Sequence, residues 1–218
     1  MVRILRTAVV VIAAALAVPA AAQAAVISTW PLGTNTNDVV GANNGTFRNV
    51  TFDGTSAFFG GKPVDSRITV PYSTSLSPGS RDVSFSIDVN TTTTPGTNSL
   101  DFDLMRSAPN GPYYKIELVP KNGKGIALCF FKGASATKQI KGGPPLTDGN
   151  WHVITCTKTA TGVTLTVDGA QVASSTITIG AITHKSGSVF ALGYKPLSGT
   201  GAEDYTIGRL RNASVSIG

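Results

Sequence analysis

The residues that could take part in acid–base chemistry are few in this sequence, with 12 acidic side chains and two histidines among 218 residues. His152 lies between two Asp-Gly pairs, which begin at Asp148 and Asp168. No serine or cysteine nucleophile motif accompanies either histidine, and His184 is the only possible imidazole partner. We interpret His152 as a structural histidine and the two aspartates as turn residues whose carboxylates accept hydrogen bonds from nearby backbone amides.

The closest approach to a hydrolytic pair of carboxyl groups is formed by Asp101 and Asp103. Alternate residues of a strand share a face, so both side chains would point the same way. A glycosidase needs two carboxyl groups roughly 5 to 9.5 Å apart across the scissile bond. The only glutamates, Glu117 and Glu203, do not extend the pattern. We expect no catalysis and interpret Asp101 and Asp103 as part of a solvated strand face, with the intervening Phe102 turned to the core.

Two adjacent aromatic residues make one segment a candidate for ligand binding. Sugar-binding sandwiches use exposed aromatic rings that stack on the C–H groups of sugars. Tyr113 and Tyr114 are neighbours in a predicted strand, so alternation sends one ring outward. The alternative is that both rings cap the edge of the core. The remaining possible platforms are Tyr72, Tyr194 and Tyr205.

A basic stretch surrounds the tyrosine pair. Six lysines accompany a single acidic residue, Glu117, between positions 113 and 141. If the strands bring these lysines to one sheet face, their field would attract anionic polymers. We therefore add Lys115 and Lys132 to the ligand-binding candidates, with an ordinary solvated surface as the alternative. No nucleic-acid-binding module is recognisable, so nucleic acid is not an expected partner. The six lysines are Lys115, Lys121, Lys124, Lys132, Lys138 and Lys141.

Residues 1–24 have the features of a secretory signal peptide. Arg3 and Arg6 precede an apolar run over residues 7–18, and small residues follow it up to Ala24. The run is shorter than the ~20 residues that cross a bilayer, so a retained anchor is the weaker alternative. We expect a secreted, extracellular product in which residues 25–218 form a single domain. A composition of 41% hydrophobic and 14% charged residues excludes a charge-rich disordered chain.

Two cysteines, Cys129 and Cys156, remain after the signal peptide. An even number of cysteines in an exported chain predicts a disulfide, because oxidising compartments allow such bridges to persist. The alternative is a pair of buried thiols. The predicted bridge closes a short loop, which on the chain-entropy model stabilises the fold by roughly 3 to 4 kcal/mol.

Alternation with a period of two is the main secondary-structure signal. Apolar side chains at every second position over residues 83–89 and 163–167 predict half-buried antiparallel strands. Asp168-Gly169 follows the second strand and predicts a two-residue hairpin turn. Trp151 opens a further alternation with Val153, which we expect to place the indole between two sheets. Many short strands without a helical period predict an all-β fold, a two-sheet antiparallel sandwich or jelly roll.

The segment from Tyr113 to Gly169 resembles a laminin G-like domain. In that family an Asp-Gly-x-Trp-His turn precedes an apolar strand closed by Val-Asp-Gly, and here the same order begins at Asp148 and ends at Gly169. The placement of the two cysteines resembles that of exported actinobacterial members. The resemblance implies the jelly roll of the concanavalin A-like lectin/glucanase superfamily. This fold hosts binding modules, adhesion domains and some glycosidases, so it does not define a function.

The resemblance also makes calcium a possible ligand, because many laminin G-like domains hold one Ca²⁺ with carboxylate and backbone oxygens. The acidic residue that commonly opens the strand aligned with YYKIEL is replaced here by Pro112 or Tyr113. The residues that could serve instead are Asp101, Asp103 and Asp204. No other cofactor is expected.

These observations together favour a secreted, non-catalytic binding module whose partner is an extracellular glycan or cell-surface polysaccharide. The alternative is an extracellular adhesion domain that binds a protein partner, which is a different functional class. A glycoside hydrolase is a minor alternative. The sequence leaves the oligomeric state open.

Overall fold

The computed structural model describes residues 24–96, 101–197 and 202–218. The predicted signal peptide therefore lies outside the described residues except for Ala24. The strands within these ranges are β1 (Ala25–Trp30), β2 (Thr46–Arg48), β3 (Val50–Phe52), β4 (Ala57–Gly60), β5 (Arg67–Val70), β6 (Val83–Asn90), β7 (Phe102–Arg106), β8 (Tyr113–Lys121), β9 (Lys124–Lys132), β10 (Thr137–Gly142), β11 (His152–Lys158), β12 (Val163–Val167), β13 (Ala170–Ser175), β14 (Phe190–Leu192), β15 (Lys195–Pro196), β16 (Ala202–Glu203) and β17 (Ile207–Ile217). A single turn of 3-10 helix covers Thr74–Leu76.

These strands form two large antiparallel sheets and one small hairpin. The eight-stranded sheet has the order β13-β12-β11-β6-β17-β4-β3, with β1 paired to β17. The seven-stranded sheet has the order β10-β9-β8-β7-β14-β5-β2, and β15 pairs with β16. The predicted two-sheet antiparallel sandwich is thereby confirmed.

The core lies between the two large sheets. Along β6, Val83, Phe85, Ile87 and Val89 point inward and are at most 1% exposed, while Ser84 and its alternate neighbours face outward. A single apolar cluster connects both sheets. Burial of alternate side chains therefore accounts for the period of two in the sequence.

Two predicted local features are confirmed. Cys129 of β9 and Cys156 of β11 form a disulfide that joins the two sheets across the core. Asp168 and Gly169 connect β12 to β13 with φ angles of 51° and 81°. A type I′ turn needs positive φ at both central residues, which explains the Asp-Gly pair.

The predicted position of Trp151 is wrong. Ile154 and Cys156 are the inward residues of β11, whereas Val153 is 42% exposed and Trp151 is only partly buried. The guanidinium carbon of Arg211 lies 4.0 Å from the centre of the Trp151 ring. Because strand faces alternate, an error of one residue in register turns every side chain to the opposite face.

Trp30 takes the core position that we assigned to Trp151. Its side chain is 0% exposed, and its ring stacks on Phe190 with ring centres 5.2 Å apart. Its indole N–H donates to the backbone carbonyl of Asn43 at 2.7 Å. This hydrogen bond satisfies the polar edge of the buried indole and ties the loop before β2 to the core.

Candidate functional site

The structure separates the two predicted tyrosine platforms. Tyr114 is 0% exposed, and its hydroxyl donates to the backbone carbonyl of Leu76 at 3.0 Å. Its ring packs against Phe85 in the core, and burial strongly raises the pKa of its hydroxyl. The prediction that Tyr114 binds a ligand is wrong, because alternation turns its ring inward.

Tyr113 faces outward from β8 but lies between two neighbours. The ring of Phe130, on β9, stacks nearly parallel to it with centres 4.9 Å apart. The guanidinium carbon of Arg106, on β7, lies 4.2 Å from the Tyr113 ring centre. Because β9 and β7 flank β8 on opposite sides, these contacts leave little of either ring face for a sugar.

The two predicted lysines have different environments. Lys115 is only 8% exposed and forms a salt bridge with Glu117 on the same strand. Burial lowers the pKa of its ammonium group. Lys132 is exposed and is the register partner of Tyr113 across β8 and β9. The basic stretch is therefore not a uniform charged face, since Lys115 is buried and neutralised.

Other predicted aromatic platforms are also covered. Tyr194 and Tyr205 are 3% and 5% exposed and form a small cluster with Ala191 on the outer side of the seven-stranded sheet. The Tyr194 hydroxyl lies 2.7 Å from the hydroxyl of Thr69. The Tyr205 hydroxyl donates to Asp65 at 2.7 Å. These hydroxyl groups hold the segment after β14 against the sheet.

The three aspartates proposed as metal ligands do converge. One carboxylate oxygen from each of Asp101, Asp103 and Asp204 lies within 4.8 Å of those from the other two. The expected solvated face is wrong for Asp103, which is 0% exposed. Burial raises the pKa of Asp103 to about 6. Burial, followed by the charge of Asp204, also raises the pKa of Asp101.

Cations already neutralise part of this aspartate cluster. Arg106 Nη1 lies 3.2 Å from Oδ2 of Asp103, and Lys195 Nζ lies 2.8 Å from Oδ2 of Asp204. By contrast, Oδ1 of Asp101 and Oδ1 of Asp103 are buried without a hydrogen-bond partner among the described residues. Two unpartnered carboxylate oxygens fit a hard cation, which would need water or carbonyl oxygens to complete six to eight ligands.

His152 has the structural role that we predicted. Its Nδ1 lies 2.8 Å from Asp168 and its Nε2 lies 3.1 Å from Asp148. Asp168 also accepts the backbone N–H of Val153, and Asp148 accepts that of Asn150. Partial burial alone would lower the pKa of His152, but the hydrogen bonds and charges of the two aspartates raise it. The imidazole thus ties the turn before β11 to the turn after β12.

Tyr72 is the predicted platform that borders an open cleft. The cleft lies at one end of the sandwich and has a volume of about 410 Å³. Pockets of about 300 to 1,000 Å³ are typical of small-ligand sites. Its described lining residues are uncharged, and most offer amide, hydroxyl or backbone groups. They are Ile27, Gly41, Ala42, Asn43, Asn44, Pro71, Tyr72, Ser73 and Ser75, and we call this site the Tyr72 cleft.

Asp38 organises the loop on one side of the Tyr72 cleft. Its carboxylate accepts hydrogen bonds from the backbone N–H groups of four residues, at 2.9 to 3.1 Å. Burial alone would raise the pKa of Asp38, but the N–H donors, led by Gly41, lower it. The donors are Thr29, Val40, Gly41 and Asn43. These four hydrogen bonds fix the loop through contacts within the chain.

Asn43 connects both sides of the Tyr72 cleft. Its Nδ2 donates to Ser28 Oγ at 2.6 Å and to Ser75 Oγ at 3.0 Å. Asn44 is exposed, its side-chain oxygen accepts the backbone N–H of Asp38 at 2.9 Å, and its amide N–H₂ has no acceptor among the described residues. We did not predict these asparagines as site residues, although an amide-rich stretch over residues 35–44 was the available signal.

A second cleft lies on the outer face of β2 and β5, with a volume of about 290 Å³. The register pairs Thr46 with Thr69 and Arg48 with Arg67. These four side chains face away from the core, because Ile68 between them is 0% exposed. Together with Phe47 they line the site that we call the arginine cleft.

Among the described residues, no helix is long and apolar enough to cross a membrane.

Comparisons with known proteins agree with this architecture. Residues 59–216 match a family model described as the concanavalin A-like lectin/glucanases superfamily. No curated protein matches the chain in sequence.

Several solved structures share the fold at low sequence identity. Domain 4 of an extracellular GH43 arabinanase from Geobacillus stearothermophilus, in complex with arabinotriose, is 17% identical with a TM-score of 0.61, over 89% of this chain and 93% of that one. The binding domain of Paraclostridial Mosquitocidal Protein 1 is 15% identical with a TM-score of 0.68, over 88% and 48%. Mouse laminin alpha1 domains LG4-5 are 19% identical with a TM-score of 0.52, over 83% and 43%.

This chain spans less than half the length of the toxin and laminin chains that it matches. At these identities the structural likeness establishes the fold, and the family match covers most of the sequence. The chain belongs to the laminin G-like family of the concanavalin A-like lectin/glucanase superfamily.

Proposed function

We propose that this protein is a secreted, non-catalytic carbohydrate-binding module and that the Tyr72 cleft is its binding site. The observation that carries the proposal is the lining of this cleft, which Tyr72 shares with Asn44 and the hydroxyl-bearing Ser73, while the buried Asn43 holds Ser75 in place through hydrogen bonds. An aromatic face suits the C–H groups of a sugar, and amide and hydroxyl groups suit its hydroxyls.

Preorganisation supports this assignment. Asp38 and Asn43 hold the loop through hydrogen bonds that need no ligand. A site that is already ordered loses less conformational entropy on binding, so modest contacts suffice for measurable affinity. The arabinanase domain, which has the same fold and was solved with arabinotriose, is consistent with a glycan ligand.

The environment of the carboxyl groups supports a non-catalytic role. Asp103 is fully buried against Arg106, and Glu117 is 2% exposed and paired with Lys115. A glycosidase needs its two carboxyl groups on either side of an accessible bond. Neither carboxyl group reaches a sugar in this arrangement.

The test is a glycan and polysaccharide binding screen with the mature protein, followed by variants of Tyr72. Tyr72→Ala should weaken a saturable glycan hit by roughly 2- to 10-fold, since an aromatic contact contributes about 0.5 to 1.5 kcal/mol. Tyr72→Phe should retain most of the affinity because it keeps the ring.

Phe58→Ala is the matched control, because Phe58 is 42% exposed on β4 and does not line the Tyr72 cleft. Equal affinities of Tyr72→Ala and the parent protein would refute the site. The competing function is adhesion to a protein, and it is favoured by Val39 and Val40, which are 64% and 53% exposed on the loop beside the cleft. Absence of any glycan hit would favour that function.

We also propose that the aspartate cluster of Asp101, Asp103 and Asp204 holds one Ca²⁺. The support is the pair of buried Oδ1 atoms that lack hydrogen-bond partners among the described residues. Calcium at 100 times its Kd would stabilise the protein by about 2.7 kcal/mol. Melting temperatures in Ca²⁺, Mg²⁺ and EDTA test this site.

Asp101→Asn should abolish the calcium-dependent shift in melting temperature. Glu203→Gln should retain it, because Glu203 is exposed beside the cluster but is not one of the three converging carboxylates. Identical melting of the parent protein in Ca²⁺ and EDTA would refute the calcium site.

A further inference from the structure

The Tyr72 cleft and the arginine cleft lie along the same pair of strands. β2 begins directly after the loop that contains Asn43 and Asn44, and β5 ends directly before Pro71 and Tyr72. The two strands are antiparallel, with Thr46 opposite Thr69. The Tyr72 cleft therefore occupies the end of the strand pair whose outer face forms the arginine cleft.

The length of this surface exceeds that of a single sugar ring. Arg67 and Tyr72 are five positions apart, so extended chain spans up to about 17 Å between them. Thr46 and Thr69 lie between the two ends, where the Thr46 hydroxyl donates to the Thr69 carbonyl at 3.4 Å and the Thr69 hydroxyl contacts that of Tyr194 at 2.7 Å. A linear oligosaccharide that starts at Tyr72 would reach the arginines along this line.

Asp65 sets the charge and orientation of the two arginines. Its Oδ2 lies 3.1 Å from Nε of Arg48, and its Oδ1 lies 3.6 Å from Nε of Arg67. Tyr205 donates to the same carboxylate at 2.7 Å. Both guanidinium groups thus approach Asp65 through Nε, and their terminal Nη groups have no acidic partner among the described residues.

Two guanidinium groups and one carboxylate leave an excess of one positive charge at the arginine cleft. Guanidinium groups bind carboxylates through paired hydrogen bonds, which are stronger than those between neutral groups. The Tyr72 cleft, in contrast, has an uncharged lining and does not select for charge.

We propose that the two clefts form one continuous groove and that the arginine cleft recognises a carboxylate of an acidic, uronic-acid-containing glycan. This inference rests on the proposed function, since it assigns a substrate class to the same site. Arg48 and Arg67 bind the carboxylate at one end, and Tyr72 stacks on a sugar ring at the other. Asp65 is a positioning residue that orients the guanidinium groups.

The experiment compares linear oligogalacturonate with the same oligosaccharide after methyl esterification, which removes the charge and keeps the sugar chain. Binding is measured by calorimetry in EDTA, so that calcium bound by the glycan does not contribute. The parent protein should bind the acidic form about tenfold or more tightly than the ester at low salt. This preference should shrink at high salt, because exposed charges are screened.

Arg48→Gln is the main variant, because the Arg48 side chain is 60% exposed and its replacement leaves the core intact. It should remove most of the preference for the acidic form while leaving affinity for the ester unchanged. Arg81→Gln, which also removes one exposed arginine, lies outside both clefts and should retain the preference. Circular dichroism and melting temperature verify that each variant is folded.

Three results would overturn the inference: equal affinity of the parent protein for both probes, no saturable binding of the acidic probe, or equal effects of Arg48→Gln and Arg81→Gln. If Tyr72→Ala lowers affinity for both probes while Arg48→Gln changes neither, the proposed function stands and the acidic specificity fails. If only Arg48→Gln lowers affinity, the continuous groove and the Tyr72 site both fail.

Discussion

His184 should make this protein sensitive to mild acid. Its side chain is 5% exposed, and its Nε2 is buried without a hydrogen-bond partner among the described residues. The ring lies 5.6 Å from that of Tyr114, whose hydroxyl is neutral in this range because burial raises its pKa. Burial lowers the pKa of His184 from 6.5 to about 4.

The direction of the effect follows from proton binding in the two states. Between pH 6.5 and about 4 the unfolded chain takes up a proton at His184 that the folded protein does not. Stability from the neutral imidazole is therefore complete above pH 6.5 and falls as the pH decreases through this window. The difference between the two pKa values corresponds to about 3 kcal/mol.

The assay is urea unfolding of the parent protein and of His184→Gln at intervals between pH 4 and 8. Groups common to both proteins cancel in the difference, so only the titration of His184 remains. The free energy of unfolding of the parent should fall relative to that of the variant by about 3 kcal/mol between pH 7 and 4. An NMR titration of the imidazole measures the same pKa directly. Parallel stability curves, or an imidazole that titrates near 6.5, would refute the reasoning.

Further predictions concern the disulfide, the other histidine and the two tryptophans. Replacing both Cys129 and Cys156 by Ser should lower the free energy of unfolding by roughly 3 to 4 kcal/mol in urea titrations, and equal midpoints with and without the bridge would contradict its stabilising role. Because its pKa is raised, His152 contributes stability below pH 6.5 that is lost as the pH rises through the folded-state value. His152→Gln should therefore destabilise the protein more at pH 5 than at pH 9, and a pH-independent difference would argue against the ion pairs. Trp30→Ala should lower the free energy of unfolding by about 3 to 5 kcal/mol, and Trp151→Ala should lower it clearly less. A larger loss of melting temperature for Trp151→Ala than for Trp30→Ala would show that Trp151 is the core residue.

Local patterns predicted the backbone well because they depend on neighbouring residues. Alternating apolar residues identified β6 and β12, and Asp168-Gly169 predicted a turn that needs positive φ at both positions. The count of two cysteines, taken with the expected export signal, predicted the bridge that the structure contains. Each of these inferences uses residues close in sequence or the composition alone.

The direction in which each side chain faces was predicted less well. Trp151 and Tyr114 show the reason. Tyr114 lies in β8 as predicted but has a core role, and Trp151 precedes β11, which begins at His152, with its side chain on the face opposite to the predicted one. Alternation states only that neighbours point in opposite directions. Which of the two directions is inward depends on the partner strands and on the core that they close.

The candidate sites depend even more strongly on assembly. Asp204 joins Asp101 and Asp103 because the segment before β17 runs beside β7, where the backbone N–H of Asp103 donates to the carbonyl of Asp204 at 3.1 Å. The charge of Lys115 was visible in the sequence, but its burial beside Glu117 was not. Whether a charge is neutralised depends on which groups surround it in the folded protein.

The sequence by itself determined the all-β architecture, the hairpin and the disulfide, because period, turn chemistry and cysteine count act locally or through composition. Only the tertiary structure placed Tyr72 beside Asn43 and Asn44 and paired Arg48 with Arg67. These residues are separated along the chain and meet when β2 pairs with β5 at the edge of the seven-stranded sheet. The binding surface depends on that pairing, because in unpaired strands the same side chains would not lie close enough to line one cleft or to act on one ligand.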